Sequence, residues 1–539
     1  MATNVGVRKP AASASATDRI AWPRWSAPAW GAIGVTSLFV AITCWWLTQD
    51  RSVPIFDAGL HLSLAIDVHK ELSSGHLLTA LTLTNPYPPF AYLIGSLGIL
   101  VGGIGIAPLI LAQNLIFVPL LALGCYRVGQ LAFGPLAGLL AVVFALGSPL
   151  ITAQFHVFMT DAPETAMVAV SVWLIIVTEG FSRMRTCAIA GVAVGLGMLT
   201  KEPFAIFVVG VVGVTALRGG RRAWRGLALF AAIALVIALP WYIHEYKQIQ
   251  SIGTEATASA SSYSSYDAPV APPRFSAANL EWYLSNFVYS QLYLPLFVFA
   301  AIGWLWTMVG FVRRRFVSPL AVELAVGAFV AWAILTETFV HDTRYSMPLL
   351  IYLAVFGAGW IVRLGRRWRI VAASALVLVA VANTLGTSFG VGGQVTATVP
   401  KALSPAVEDP GGITFYSNQG FLVSGPRRDG DLLAVLQALR RDGVREVTWP
   451  AESALGPDFS SGGVAALTQI AGLETVAEGV PGSALTKQDA VLAHGQVEPD
   501  LPAPCVQLDD GTGVWVRIGN PRAPGAKDYC PLPKPHFYG

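Results

Sequence analysis

The sequence predicts a polytopic α-helical membrane protein of about eleven transmembrane helices with a small C-terminal α/β extracytoplasmic domain. Three observations lead there. The 539 residues are 54% hydrophobic and only 12% charged, with a mean hydropathy of +0.58, whereas soluble domains carry about 25% charged residues. Apolar runs of spanning or near-spanning length recur between residues 28 and 390. Beyond residue 392 the composition becomes that of a soluble domain. The net charge of +3 is too small to suggest a nucleic-acid partner.

The first 27 residues form a polar tail containing Arg8, Lys9, Arg19 and Arg24. The span at 28–48 is not followed by a small-residue cleavage pattern after Trp45-Trp46, so it reads as an uncleaved anchor with a cytoplasmic N-terminus. Further apolar runs lie near 106–124, 133–151, 163–180, 186–200, 203–217, 226–243, 288–312, 318–336, 346–362 and 370–390. Arginine clusters mark alternate connections: Arg183 and Arg185, then Arg218 to Arg225, then Arg313 to Arg315, then Arg363 to Arg369. Basic residues favour cytoplasmic loops, and this alternation fits a single orientation. It places Asp161, Lys201, Asp342 and the loops 49–105 and 244–287 outside. The apolar stretch 88–103 then cannot cross; short and glycine-broken, it reads as interfacial or re-entrant. The membrane domain is 28–391, and the C-terminus is outside a plasma (inner) membrane.

Residues 392–539 form the exported domain. "GITFYS" and "REVTWP" have strand character, while "DGDLLAVLQALRRDG" and "SSGGVAALTQIAGL" have helical spacing with glycine stops. The alternation suggests a small βαβ-type unit. No glycine-rich phosphate fingerprint opens either helix, so no nucleotide is assigned. Cys505 and Cys530 both fall in this domain and are a disulfide pair in an oxidising compartment, with two free thiols as the alternative. Residues 251–273 are low-complexity and lead into the aromatic, amphipathic "SAANLEWYLSNFVYSQLY". That pairing suits an access gate or a plain linker.

Charged groups near membrane depth are costly and are functional suspects. The outer face collects Asp57 and His61 from "FDAGLH", Asp161 and Glu164 from "FMTDAPETA", and Lys201 and Glu202 from "GLGMLTKEPF". It also collects His341, Asp342, Arg344 and Tyr345 from "TFVHDTRYSMPLL". Each has a plainer alternative. Asp161-Ala-Pro-Glu164 has the form of a helix cap with a box-closing glutamate. Lys201 can snorkel to headgroups. Arg344 can pair with Asp342 or Glu337 as structural glue, and Asp57 and His61 can be surface residues one helical turn apart. "NPYPPF", with Tyr87, is most simply a rigid turn. Taken together, they suit transfer from a lipid-linked phosphate donor. A carboxylate takes a proton from an acceptor hydroxyl, while a lysine and an arginine bind the phosphate and stabilise its growing charge. Phosphate leaves without a proton, so one base suffices.

The same motifs resemble those of GT-C superfamily glycosyltransferases, in the branch of the protein O-mannosyltransferases (glycosyltransferase family 39) and the aminoarabinose transferases of lipid A. An acid soon after the first span, "YPPF", "MTDAPETAMVAV", "GLGMLTKEPFAI" and "HDTRYSMPLL" follow in the expected order over residues 28–390. The resemblance implies an inverting transferase using polyprenyl-phosphate sugars, with a lipid, glycan or protein acceptor. It implies Asp57 as catalytic base, Asp161 as second acid, and Lys201, Arg344 and the adjacent His341 at the donor phosphate. His61, Glu164, Asp342, Tyr345 and Tyr87 support them. Family members often carry a second acid directly after the first, whereas here Ala58 follows Asp57; the support role is open, and so is any divalent metal. No other cofactor is implied. A transporter or lipid flippase is the alternative, disfavoured because no internal repeat is found and the ionisable residues gather at one face rather than mid-membrane. A purely structural assembly protein is a third reading.

Overall fold

The structure, a computed structural model, describes residues 26–54, 56–84, 86–251, 276–313, 318–336, 342–398, 412–420, 423–424, 426, 432–448, 461–475, 489–496, 503–507, 512–518 and 527–530. Among the described residues helix α1 (Ala27–Gln49) comes first, with a proline in its first turn, where the missing N–H costs nothing. The segment after it folds into α2 (Phe56–Ser73), α3 (Leu77–Thr82) and α4 (Phe90–Gly102). The bundle continues with α5 (Ile106–Phe133), α6 (Pro135–Leu146), α7 (Pro149–His156), α8 (Asp161–Ile176), α9 (Met184–Met198), α10 (Phe204–Gly219) and α11 (Ala223–His244). It is completed by α12 (Ala277–Asn286), α13 (Tyr293–Val312), α14 (Pro319–Leu335), α15 (Leu350–Gly359) and α16 (Arg366–Phe389).

Among the described residues five helical stretches are long and apolar enough to cross a membrane: Ala27–Gln49, Ile106–Phe133, Phe204–His244, Tyr293–Val312 and Arg366–Phe389. A sixth arises if α6 and α7 count together as one span bent by 61°. The expected run 133–151 is thus broken, because Pro149 has no N–H to donate and cannot continue a helix through Gly147 and Ser148. The expected run 346–362 begins as a 3-10 helix, Thr343–Leu349, before α15 takes over. The stretch 88–103 becomes α4; its 13 residues reach about 20 Å, short of a hydrocarbon core of about 30 Å. The helices pack closely where glycine allows it. A Cβ at Gly124 of α5 would lie 2.5 Å from the backbone of Ala169 in α8, so only glycine fits. Large apolar side chains such as Leu100, Val236, Leu305 and Val312 point outward, a surface suited to lipid.

The C-terminal region starts with an antiparallel ribbon of β1 (Val395–Thr398) and β2 (Gly412–Tyr416), then the short pair β3 (Gln419–Gly420) and β4 (Val423–Ser424). There follow α17 (Leu432–Arg441), β5 (Glu446–Thr448), α18 (Ser461–Ile470), β6 (Glu474–Thr475), β7 (Asp489–Gln496), β8 (Val506–Gln507), β9 (Thr512–Ile518) and β10 (Lys527–Cys530). The main sheet runs β10-β9-β7-β5-β6, with β8 added on β9. Strand β5 is parallel to both β6 and β7, so β5–α18–β6 is a βαβ unit; β9 and β10 extend it antiparallel. Leu436, Leu439, Val447, Val464, Leu492 and Val514 form its core. Cys505 and Cys530 are joined in a disulfide that ties the segment before β8 to β10.

Candidate active site

Asp57 stands in the first turn of α2, its side chain 42% exposed. Its partner comes from far along the chain: Arg344 Nη2 donates to Asp57 Oδ2 at 3.0 Å. Arg344 is itself clamped by Asp342, with Nε 3.0 Å from both carboxylate oxygens and Nη2 2.5 Å from Oδ2. The Asp342 side chain also accepts from the Arg344 backbone N–H at 2.8 Å, capping the 3-10 helix that carries the arginine. Arg344 Nη1 faces Met159 Sδ at 3.6 Å. Burial opposes the guanidinium charge, but Asp342 and Asp161 outweigh it and hold the group protonated far above its ordinary value.

Asp161 and Lys201 form a second, buried pair with Nζ 2.5 Å from Oδ1. The ammonium also lies 4.9 Å from the centre of the Tyr345 ring, a cation–π contact. Burial works against the lysine charge, yet Asp161 and Glu164 more than offset it and raise its pKa. Asp161 is the first residue of α8 rather than its cap. Thr160 occupies the cap position and makes no side-chain capping bond, so the capping-box alternative does not form. Nor does Lys201 snorkel outward; its pairing with Asp161 holds it inside.

His61, one turn after Asp57, points inward. It is 2% exposed, shares a 2.5 Å hydrogen bond with the Tyr92 hydroxyl and meets the Tyr87 ring edge-on at 4.7 Å. Burial lowers its pKa to about 4, although Asp57 and Asp161 pull the other way, so the imidazole is neutral. Burial raises Tyr87 to about 12, reinforced by Asp57. Glu164 is fully buried with one carboxylate oxygen lacking a hydrogen-bond partner. Burial likewise raises neighbouring Glu202 to about 7. His341 lies outside the described residues, as does Glu337.

The segment delivering Asp161 is held by residues the sequence reading did not single out. Gln113 of α5 donates to the carbonyls of Gln154 and Val157 at 3.3 and 2.9 Å and accepts from the Met159 N–H at 3.3 Å. Asn114 donates to the Phe155 carbonyl at 2.7 Å. An adjacent Gln-Asn pair inside an apolar run was the available signal, since buried amides demand partners. Among the described residues no group of three or more His, Cys, Asp or Glu side chains is placed to hold a metal ion.

A helical bundle thus carries α2–α4 and two carboxylate–cation pairs, Arg344 with Asp57 and Lys201 with Asp161, and is followed by a small β-containing region. Residues 86–244 match the family described as dolichyl-phosphate-mannose-protein mannosyltransferase. That stretch includes Tyr87, Asp161 and Lys201 but neither Asp57 nor Arg344. Among solved structures, apo ArnT from Cupriavidus metallidurans is similar with a TM-score of 0.53 and 17% identity, over 90% of this chain and 98% of that one. ArnT from the same organism bound to undecaprenyl phosphate aligns with a TM-score of 0.47 and 17% identity, over 67% of this chain and 65% of that one. The apo oligosaccharyltransferase of Archaeoglobus fulgidus aligns with a TM-score of 0.48 and 10% identity, over 87% of this chain and 70% of that one. No curated protein matches the chain. The resemblance to GT-C glycosyltransferases read from the motifs is thus met by a family match in sequence and by the likeness to apo ArnT in fold.

Proposed function

We propose that the protein is an inverting glycosyltransferase that moves a hexose or pentose from a polyprenyl-phosphate donor to an acceptor hydroxyl, or another nucleophile, on a lipid, glycan or protein. The reaction takes place at the outer face of the plasma membrane, in the orientation set by the arginine-marked loops. One observation carries the reading: a partly exposed carboxylate, Asp57, lies 3.0 Å from a buried arginine, with the Lys201–Asp161 pair in the same electrostatic cluster. Exposure suits a base that must meet an acceptor, and buried cations suit an anion brought in by a lipid.

The phosphate competes with carboxylates for the two cations. Its arrival at Arg344 draws the guanidinium from Asp57 and frees that carboxylate to accept a proton. The acceptor oxygen, losing its proton to Asp57, attacks the anomeric carbon from the side opposite the phosphate. The bond from that carbon to the phosphate oxygen breaks, its electron pair leaves with the phosphate, and Arg344 and Lys201 neutralise the added charge. The single displacement inverts the anomeric centre. Asp342 and Asp161 keep the cations oriented throughout. The family description matching residues 86–244 supports a lipid-phosphate sugar as donor.

The test is transfer from a radiolabelled polyprenyl-phosphate sugar by purified protein in lipid. Asp57→Asn keeps the size and removes the base, so turnover falls by at least about 10²-fold while membrane insertion is retained. Near-normal turnover by that variant would sink the assignment.

A further inference from the structure

Besides α3, α4 and Arg344, the helix that carries Asp57 has a neighbour in the C-terminal region. Helix α18 lies along α2, and the contact is backbone against backbone. A Cβ at Gly59, two residues after Asp57, would stand 2.2 Å from the Gly463 nitrogen and 2.3 Å from the Gly462 carbonyl carbon. A Cβ at Gly463 would stand 1.9 Å from the carbonyl oxygen of Pro54, on the segment leading into α2. Farther along the same contact, Gln469 Nε2 donates to both carboxylate oxygens of Asp67 at 3.3 Å. The two cores also interpenetrate. Val53 is buried with Val464, Leu467 and Leu436 of the C-terminal region, while Ala466 is buried with Leu62 and Ile66 of α2.

From this we infer that α18 is part of the catalytic unit: the Gly463–Gly59 crossing is a positioning contact that sets where Asp57 stands relative to Arg344. The inference rests on Asp57 being the base. A positioning role explains the glycines at the contact. A side chain at 59 meets the first turn of α18, and one at 463 meets Val53 and Pro54 on the segment that leads into α2; either one displaces the first turn of α2, where Asp57 stands. The cations sit on other elements, Lys201 before α10 and Arg344 before α15, so displacing α2 moves the base without moving the phosphate site. Misplacement of a reacting group by about 1 Å costs on the order of 10²-fold in rate.

The full-length protein in lipid nanodiscs provides the test, with turnover and binding of labelled polyprenyl-phosphate sugar measured separately. Gly463→Ala is expected to lower kcat roughly 10- to 100-fold while donor Kd stays within about 2-fold of the parent. A merely structural lesion would lower kcat, raise donor Kd and lower the thermal midpoint together. Wild-type kcat in Gly463→Ala, or an equal loss of donor binding, overturns the inference. If Asp57→Asn is inactive and Gly463→Ala is unimpaired, the positioning contact fails alone. If Asp57→Asn turns over normally, the base assignment fails and takes the inference with it. A second measurement covers the case in which Gly463→Ala does not fold. Cysteines placed at Asp67 and Gln469 in a Cys44→Ser background are bridged by a short thiol cross-linker. Retained turnover in the bridged protein supports a fixed contact, and loss of turnover on bridging, recovered with a cleavable linker after cleavage, shows that the helices must separate and overturns it.

Discussion

Among the described residues Arg344 donates to the carboxylates of Asp342 and Asp57, and Asp57 is the more weakly held of the two. Asp342 is anchored through the backbone N–H of the arginine as well as its side chain, whereas Asp57 holds a single 3.0 Å bond and is the more exposed partner. In the proposed reaction an incoming phosphate exchanges with Asp57. Two predictions belong to this scale. Arg344→Ala and Lys201→Ala each weaken donor binding by about 10-fold or more, as expected for losing a charge-assisted contact of about 1.5–3 kcal/mol, measured by titration with the labelled lipid. Arg344→Lys does not restore it, because the planar fork that meets Asp342 and the phosphate together is lost. The other concerns His61. Its folded pKa of about 4 lies below the ordinary 6.5, so as pH falls the unfolded chain takes up this proton first. The stability it contributes is complete above about pH 6.5 and is lost as pH falls toward about 4. Thermal midpoints recorded across that window decline in the parent, and His61→Gln flattens the decline.

Among the elements, the break between α6 and α7 and the turn into α8 are what bring Asp161 to Lys201. A straight span over 133–151 would carry the chain past this point; Pro149 prevents it, and the polypeptide enters the site end through α7. Gln113 then satisfies three backbone groups of the segment between α7 and α8. Gln113→Leu leaves a buried N–H and two carbonyls without this partner, and each unsatisfied group costs about 1–3 kcal/mol. A lowered thermal midpoint is expected, with activity falling alongside it because Met159 and Asp161 lose their support. An unchanged midpoint would show that the segment is held by other contacts.

For the molecule as a whole, the positions of basic loops predict on which side each end of the bundle lies. In a Cys44→Ser background, an impermeant thiol reagent added to intact cells labels a cysteine at Asp442, which is exposed on the C-terminal region. The same reagent reaches a cysteine at Arg221, exposed between α10 and α11, only after permeabilisation. The reverse pattern would invert the proposed orientation and put the site on the cytoplasmic side. The joint core of α18 and α2 also bears on the whole molecule, since the C-terminal region is tied to the helix that carries Asp57 rather than appended beside it.

Much of this was legible in the sequence for one physical reason: a bilayer demands local properties. Apolar length, basic residues in loops and the scarcity of charge are satisfied segment by segment, so they can be read segment by segment. The same scarcity exposed Asp57, Asp161, Lys201, Asp342 and Arg344 as residues needing an explanation. The pairing of Arg344 with Asp342, two residues away, was legible and is met; the long-range pairings were not. Arg344 and Asp57 are 287 residues apart, and nothing local distinguishes that pairing from one with Asp161. The chain itself determined the apolar segments, the candidate charges and the mixed helix and strand character of the C-terminal region. Tertiary structure alone decided that Asp161 meets Lys201, that His61 turns inward to Tyr92, and that Gly59 meets Gly463, because close approach of backbones depends on how whole helices pack.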